Sequence, residues 1–174
     1  DEPKADWEGV VSELAADDRE IVVLSGDNEA ATQAFGEHPA VDQVFAGVPP
    51  EAKAATVREL RSKGRVAMIG DGSNDAPALA TADLGIALAT GTKLATDAGD
   101  VIVADGTLAA VPSLLTIIEK TNSRITQNLG WALCYNAVAI PLAVAGLLNP
   151  LLAAVAMGTS SLLVVVNSTL RPLD

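Results

Sequence analysis

One cysteine, Cys134, is all the chain has, so no internal disulfide can form, and such usage fits a reducing cytosol. No GxxxxGK loop occurs anywhere in the 174 residues, so the chain has no P-loop with which to hold a nucleotide. Basic residues are scarce. Residues 1–120 carry 21 acidic against 9 basic side chains, a formal −12 that repels nucleic acid and anionic headgroups. That acidity is either a solvated face or an adaptation to salt, and composition does not choose between them. There is no low-complexity tract and no signal peptide, and a chain opening Asp1-Glu2-Pro3-Lys4 without an initiating Met reads as a piece of a longer protein. Charge itself is missing from residues 125–170, 46 positions without Asp, Glu, Lys or Arg.

What is present begins with alternation. Short β-branched runs at 21–24 and 66–69 predict buried strands, with shorter candidates at 41–45, 84–88 and 101–103. Helices are expected over 8–16, 28–35, 50–62 and 74–80, with Pro50 near a first helical position and Gly64 beyond an end. This order implies an α/β fold with a parallel, doubly wound sheet. Ligand groups then belong at the carboxyl ends of the strands, where Ser25, Asp27 and Asp71 fall. From residue 108 the pattern changes to a long helix over 108–128 carrying Glu119, Lys120 and Arg124. Residues 129–148 and 151–170 each supply about 20 apolar-dominated positions, enough to cross a bilayer core of about 30 Å. Asn149-Pro150 makes the turn between them, and Lys120, Arg124 and Arg171 flank one side, which predicts cytoplasmic ends. Trp131 fits an interfacial position, Pro141 a kink, and a buried soluble helical hairpin is the alternative.

The densest signal is the run 68–79. A strand ends in Gly70-Asp71-Gly72, Asn74 opens a helix, and Asp75 follows Asp71 by four residues. Two hard carboxylate ligands beside glycines, at the mouth of an α/β sheet, suit Mg²⁺ with a bound phosphoryl group. Backbone N–H groups at the new helix's start help hold the anion. An acidic turn with an ordinary helix cap is the plainer alternative.

GDGSNDAPAL, residues 70–79, resembles the hinge motif of P-type ATPases, the ion pumps that pass through an aspartyl-phosphate. Leu24-Ser25-Gly26-Asp27-Asn28 resembles the family's Thr-Gly-Asp segment, and Pro50-Glu51-Ala52-Lys53 its phosphate-site lysine element. Residues 82–87 followed by Gly91-Thr92 resemble the strand after the hinge, and the tail resembles the last two membrane helices of the heavy-metal class. The resemblance implies a haloacid dehalogenase-like sheet, the C-terminal part of a phosphorylation domain, at 1–107. A stalk helix at 108–128 and a transmembrane α-helical hairpin at 129–148 and 151–170 follow. It implies that Ser25, with Gly26 and Asp27, hydrogen-bonds a phosphoryl oxygen and that Lys53 faces the equatorial oxygens. Asp71 would hold Mg²⁺, with Asn74 and Asp75 in support. ATP would be bound mainly by a domain outside this chain, and the partners would be the nucleotide-binding, actuator and remaining membrane segments of the pump. The family's nucleophile segment, Asp-Lys-Thr-Gly-Thr, does not occur in these residues, so the chain alone is expected to be inactive.

In the tail, Tyr135 and Asn136 precede the turn, and Met157 and Ser161 follow it as an i, i+4 pair on one helical face. At about 1.5 Å per residue, Asn136 lies roughly 20 Å before the turn and Ser161 roughly 16 Å after it. In a membrane-crossing hairpin those depths agree near mid-bilayer, where polar side chains are costly unless functional. A thioether beside neutral oxygens suits a soft monovalent ion such as Cu(I). The set resembles the Tyr-Asn and Met-x-x-Ser-Ser motifs of copper-exporting heavy-metal ATPases. That resemblance implies an integral protein of the cell membrane, contacting the lipid bilayer, with its soluble domain in the cytoplasm. Ag(I) would fit the same donors, whereas a Zn²⁺ or Cd²⁺ pump is expected to place an acidic residue here. A membrane-anchored phosphatase of the same superfamily and a non-catalytic remnant are the other readings. Gap-filling for Met157, close helix packing for Ser160 and Ser161, packing for Cys134 and a surface place for His38 are the simpler roles.

Overall fold

The computed structural model describes residues 6–71, 73–88, 93–147 and 149–169; expectations placed on residues 1–4, Gly72, Gly91-Thr92, Leu148, Leu170 and Arg171 lie outside them. The chain divides into two units, Asp1–Pro112 and Ser113–Asp174.

In the first unit, helices α1 (Trp7–Ala16), α2 (Glu29–Gly36), α3 (Pro50–Arg61), α4 (Ala76–Thr81) and α5 (Lys93–Ala98) alternate with five strands. Among the described residues these are β1 (Val22–Leu24), β2 (Gln43–Phe45), β3 (Ala67–Gly70), β4 (Leu84–Leu88) and β5 (Val101–Val103). Every pairing is parallel, as the crossover helices require. The strands form two sheets, β1-β2 and β3-β4-β5, where alternation alone suggested one. α5 had no counterpart among the sequence expectations.

The core sits where α4 lies on β4, the central strand of the larger sheet. Leu79 and Ile86 are fully buried, and Ala87 packs against Leu79 with Met68 and Ala98 around them. A strand covered on both faces reads as an unbroken apolar run, and Leu-Gly-Ile-Ala-Leu does. Gly85 lets the helix down onto it: a Cβ there would stand 2.7 Å from the Leu79 carbonyl oxygen. Gly85→Ala is therefore expected to cost about 1–3 kcal/mol by overpacking, read as a lowered denaturant midpoint. A midpoint equal to the parent's would contradict this packing.

Strand register is set by one device used three times. Ile21 N donates to Asp42 Oδ2 at 2.7 Å, while Asp42 N donates to the Ile21 carbonyl at 2.9 Å. Val66 N meets Asp83 Oδ2 at 3.0 Å, and Asp83 N meets the Val66 carbonyl at 2.9 Å. Gly85 N and Asp100 repeat the exchange at 2.8 Å each way. A one-residue slip would break both bonds of each clamp and turn apolar faces outward. The clamps also explain why the strand expected over 41–45 begins at Gln43 and the one expected over 66–69 at Ala67.

In the second unit, α6 (Val111–Val144) is one helix of 34 residues through positions expected to hold both a stalk and a first span. It ends in a Schellman cap: Leu147 N donates to the Leu142 carbonyl and Gly146 N to the Ala143 carbonyl, each at 3.0 Å. Gly146 takes φ +70° there, a conformation that favours glycine. α7 (Pro150–Thr169) starts with Asn149 Oδ1 accepting from Leu151 N at 2.9 Å and Pro150 at its first position.

The expected transmembrane hairpin over 129–148 and 151–170 is corrected here: among the described residues, no helix is long and apolar enough to cross a membrane. Freedom from charge is not apolarity. α6 stops four residues short of 148 and contains Gln127, Asn128 and Asn136; α7 is diluted by Thr159, Ser160 and Ser161 and ends in Asn167-Ser168-Thr169.

Candidate functional site

Asp71 stands exposed just past the carboxyl end of β3. A 3₁₀ turn, Ser73–Asp75, carries the chain into α4, whose second residue is Pro77. The helix expected from Asn74 thus begins at Ala76, with Asn74 exposed in the turn. Asp75 occupies the cap position, yet its side chain makes no cap bond. Its Oδ1 lies 2.7 Å from Lys53 Nζ, and the two side chains are only 14% and 13% exposed. Gly70 makes room for this: a Cβ there would lie 2.8 Å from Asp75 Cβ and 3.0 Å from Asp75 Oδ2.

Asp71 and Asp75 share a cavity of about 230 Å³ with Ile69 and Gly70, and Trp7, Phe35, Leu88 and Leu108 supply its apolar walls. Trp7 and Phe35 meet edge to face at 4.9 Å between ring centres. Such walls lower the local dielectric and strengthen whatever electrostatic contact forms inside. Lys53 arrives from the first turn of α3, whose start is fixed by Pro50.

Ser25, Gly26 and Asp27 lie at the carboxyl end of β1, in the other sheet. Ser25 Oγ donates to Asp27 Oδ2 at 3.4 Å and accepts from Asp27 N at 3.1 Å. The loop after β2 buttresses them, with Gly47 N bonded to the Asp27 carbonyl at 2.6 Å and Val48 N to the Ser25 carbonyl at 2.9 Å. Asn28 caps α2 through Ala31 N at 3.0 Å. The structure therefore joins Lys53 to Asp75 and sets Asp75 beside Asp71 on one cavity, while Lys53, Ser25, Gly26 and Asp27 are not among the residues lining it. Sequence reasoning aimed Lys53 at phosphate and missed its direct pairing with Asp75; no motif signals a contact between residues 22 positions apart.

Among the described residues no group of three or more His, Cys, Asp or Glu is placed to hold a metal. Two carboxylates on one cavity do not make a transition-metal cage. They do fit Mg²⁺, which keeps its waters and takes one or two carboxylates together with phosphate oxygens.

In the second unit, Tyr135 lines a cavity of about 650 Å³ between α6 and α7 with Cys134, Thr159 and Ser160, and its hydroxyl donates to the Ala153 carbonyl at 3.4 Å. Asn136, Met157 and Ser161 are not among the lining residues, and Met157 is 63% exposed. α7 turns Ala153, Ala156, Ser160 and Leu163 to the cavity, so Met157 and Ser161 sit one residue, about 100°, around the helix.

Residues 1–83 and 52–115 each match a family of haloacid dehalogenase-like hydrolases. The probable copper-exporting P-type ATPase V of Mycobacterium tuberculosis H37Rv is 46% identical over 169 residues, 97% of this chain and 22% of that protein. The copper-exporting P-type ATPase of Staphylococcus haemolyticus is 44% identical over 97% of this chain and 21% of its own length. A zinc-transporting PIB-type ATPase in its E2.Pi state superposes with a TM-score of 0.87 at 32% identity, over 100% of this chain and 28% of that one. The chain belongs to the heavy-metal P-type ATPases. It spans about a fifth of the length of the curated relatives it matches.

Proposed function

We propose that the chain is the phosphate-handling part of an ATP-driven pump that exports Cu(I) from the cytosol through an aspartyl-phosphate. The observation that carries this reading is the 2.7 Å pairing of Lys53 with Asp75, whose side chain shares a small cavity with Asp71 at the end of β3. Asp71 is the carboxylate that holds Mg²⁺, and Asp75 supports it while orienting Lys53. Bound there, Mg²⁺ supplies positive charge against the transferred phosphoryl oxygens. Lys53, held at Asp75 Oδ1, offers its remaining N–H bonds to an equatorial oxygen. Ser25 turns its hydroxyl from the 3.4 Å contact with Asp27 Oδ2 to hydrogen-bond another phosphoryl oxygen, with Gly26 and Asp27 shaping that loop and Asn74 in the turn before α4. The attacking Asp and most of the ATP contacts come from parts of the longer protein beyond these residues, so this chain alone forms no phosphoenzyme. The longer protein works at the cell membrane with the phosphate site in the cytoplasm.

For the cargo, Tyr135, Asn136, Met157 and Ser161 are the proposed contacts. A thioether among neutral oxygens, in a stretch with no carboxylate from 125 to 170, favours Cu(I) or Ag(I) over Zn²⁺. The likeness to a zinc-transporting structure keeps Zn²⁺ as the second reading. ATP hydrolysis by the longer protein decides between them: Cu(I) is expected to stimulate it and Zn²⁺ to leave it at baseline. Stimulation by Zn²⁺ and not by Cu(I) would overturn the copper assignment.

A further inference from the structure

At the end of β3 away from Asp71, three elements meet on one side-chain pair. Arg61, in the last turn of α3, places Nη2 2.6 Å from Asp83 Oδ1 and donates from Nη1 to the carbonyl of Thr81, the last residue of α4, at 2.8 Å. The second carboxylate oxygen of Asp83 accepts from Val66, just before β3. One guanidinium and one carboxylate thus join the end of α3, the end of α4 and the start of β3. Each of these elements carries a site group at its far end: Lys53 on α3, Asp75 just before α4, and Asp71 just after β3. Lys53 and Arg61 are about 12 Å apart along α3 at the usual helical rise. With Lys53 fixed to Asp75 and Arg61 fixed to Asp83, α3 is held at both ends and has no freedom to slide along α4.

The geometry points to Arg61 as a positioning residue for the phosphate site: clamped to Asp83 and the Thr81 carbonyl, it sets the angle of α3 and so the place of Lys53 beside Asp71 and Asp75. The hydrogen bond from Arg61, then that from Val66, hold the Asp83 carboxyl below the usual carboxylate range. The clamp is therefore formed at neutral pH and lost only as acid protonates Asp83. A planar fork with two acceptors is what Lys cannot reproduce.

This inference rests on the pump reading, and the test separates the two. In the longer protein, Mg²⁺ alone is titrated calorimetrically without nucleotide, and the Mg²⁺ requirement for phosphoenzyme is measured in parallel. Arg61→Gln is expected to weaken Mg²⁺ binding roughly three- to tenfold, a step below the effect of losing a direct neighbour of a ligand. Arg61→Lys, which keeps one contact and loses the fork, falls between it and the parent. Asp83→Asn, which still accepts from Val66, matches Arg61→Gln, and the double variant is no weaker than either single one. Parent Mg²⁺ affinity in Arg61→Gln overturns the inference whatever happens to the melting temperature. Should Arg61→Gln not fold, Asp83→Asn or Arg61→Lys carries the same titration with the same two outcomes. A parent protein without Mg²⁺-dependent phosphoenzyme sinks the pump reading instead, while the titration still reports on Arg61.

Discussion

Asp71→Asn lowers the phosphoenzyme of the longer protein by about 10²–10³-fold, measured with labelled ATP at saturating Mg²⁺. The substitution keeps size and one neutral oxygen but removes the charge that a hard dication requires. Asp71 is exposed at the end of β3, so the fold loses little. Thermal unfolding is expected to move by no more than about 0.5 kcal/mol, as for other surface changes. Raising Mg²⁺ should recover only a small part of the signal. Phosphoenzyme within twofold of the parent would remove Asp71 from the site.

Lys53→Met acts on stability and chemistry together. Its partner Asp75 keeps only 14% of its side chain in water and lies against Gly70. Taking the cation away removes the 2.7 Å ion pair from a largely buried carboxylate, at a cost of about 2–4 kcal/mol. Phosphoryl transfer falls by about 10²-fold or more, because the charge-assisted bond to the equatorial oxygens is lost as well. The pair Lys53→Met/Asp75→Asn separates these effects. It should recover much of the stability by removing the charge that lost its lysine, and none of the phosphoryl transfer. A Lys53→Met protein that melts like the parent would show that the 2.7 Å pair contributes nothing measurable.

The parts of the fold legible in the sequence are those with local causes. Leu84–Leu88 is an unbroken apolar run because it is the middle strand, and it was found at its true limits. α3 is legible through Pro50 at its start and Gly64 beyond its end. The Gly70-Asp71 corner was readable because a strand end, a glycine and a carboxylate are neighbours in sequence. Contacts across the sequence left no such trace. Asp42, Asp83 and Asp100 look like ordinary loop acids, and only the paired strands show that each one fastens a register. α5 has six residues, too few for a helical period to declare itself. The tail differs for another reason: absence of charge is not apolarity, and Asn128 and Asn167 bond to each other and Asn128 to Ser168, polar contacts that a count of charges does not register. The cargo residues stand apart in the same way, since an i, i+4 spacing places Met157 and Ser161 on one face without saying which face turns to the cavity.

The longer protein, crystallised with beryllium fluoride as phosphate mimic and Mn²⁺ in place of Mg²⁺, shows through anomalous scattering where the metal sits. The metal is expected about 2.1–2.2 Å from a carboxylate oxygen of Asp71, with Lys53 on the fluoride side of Asp75. A metal and fluoride cluster bound elsewhere, with Asp71 untouched in a catalytically competent pump, would contradict the account at its centre.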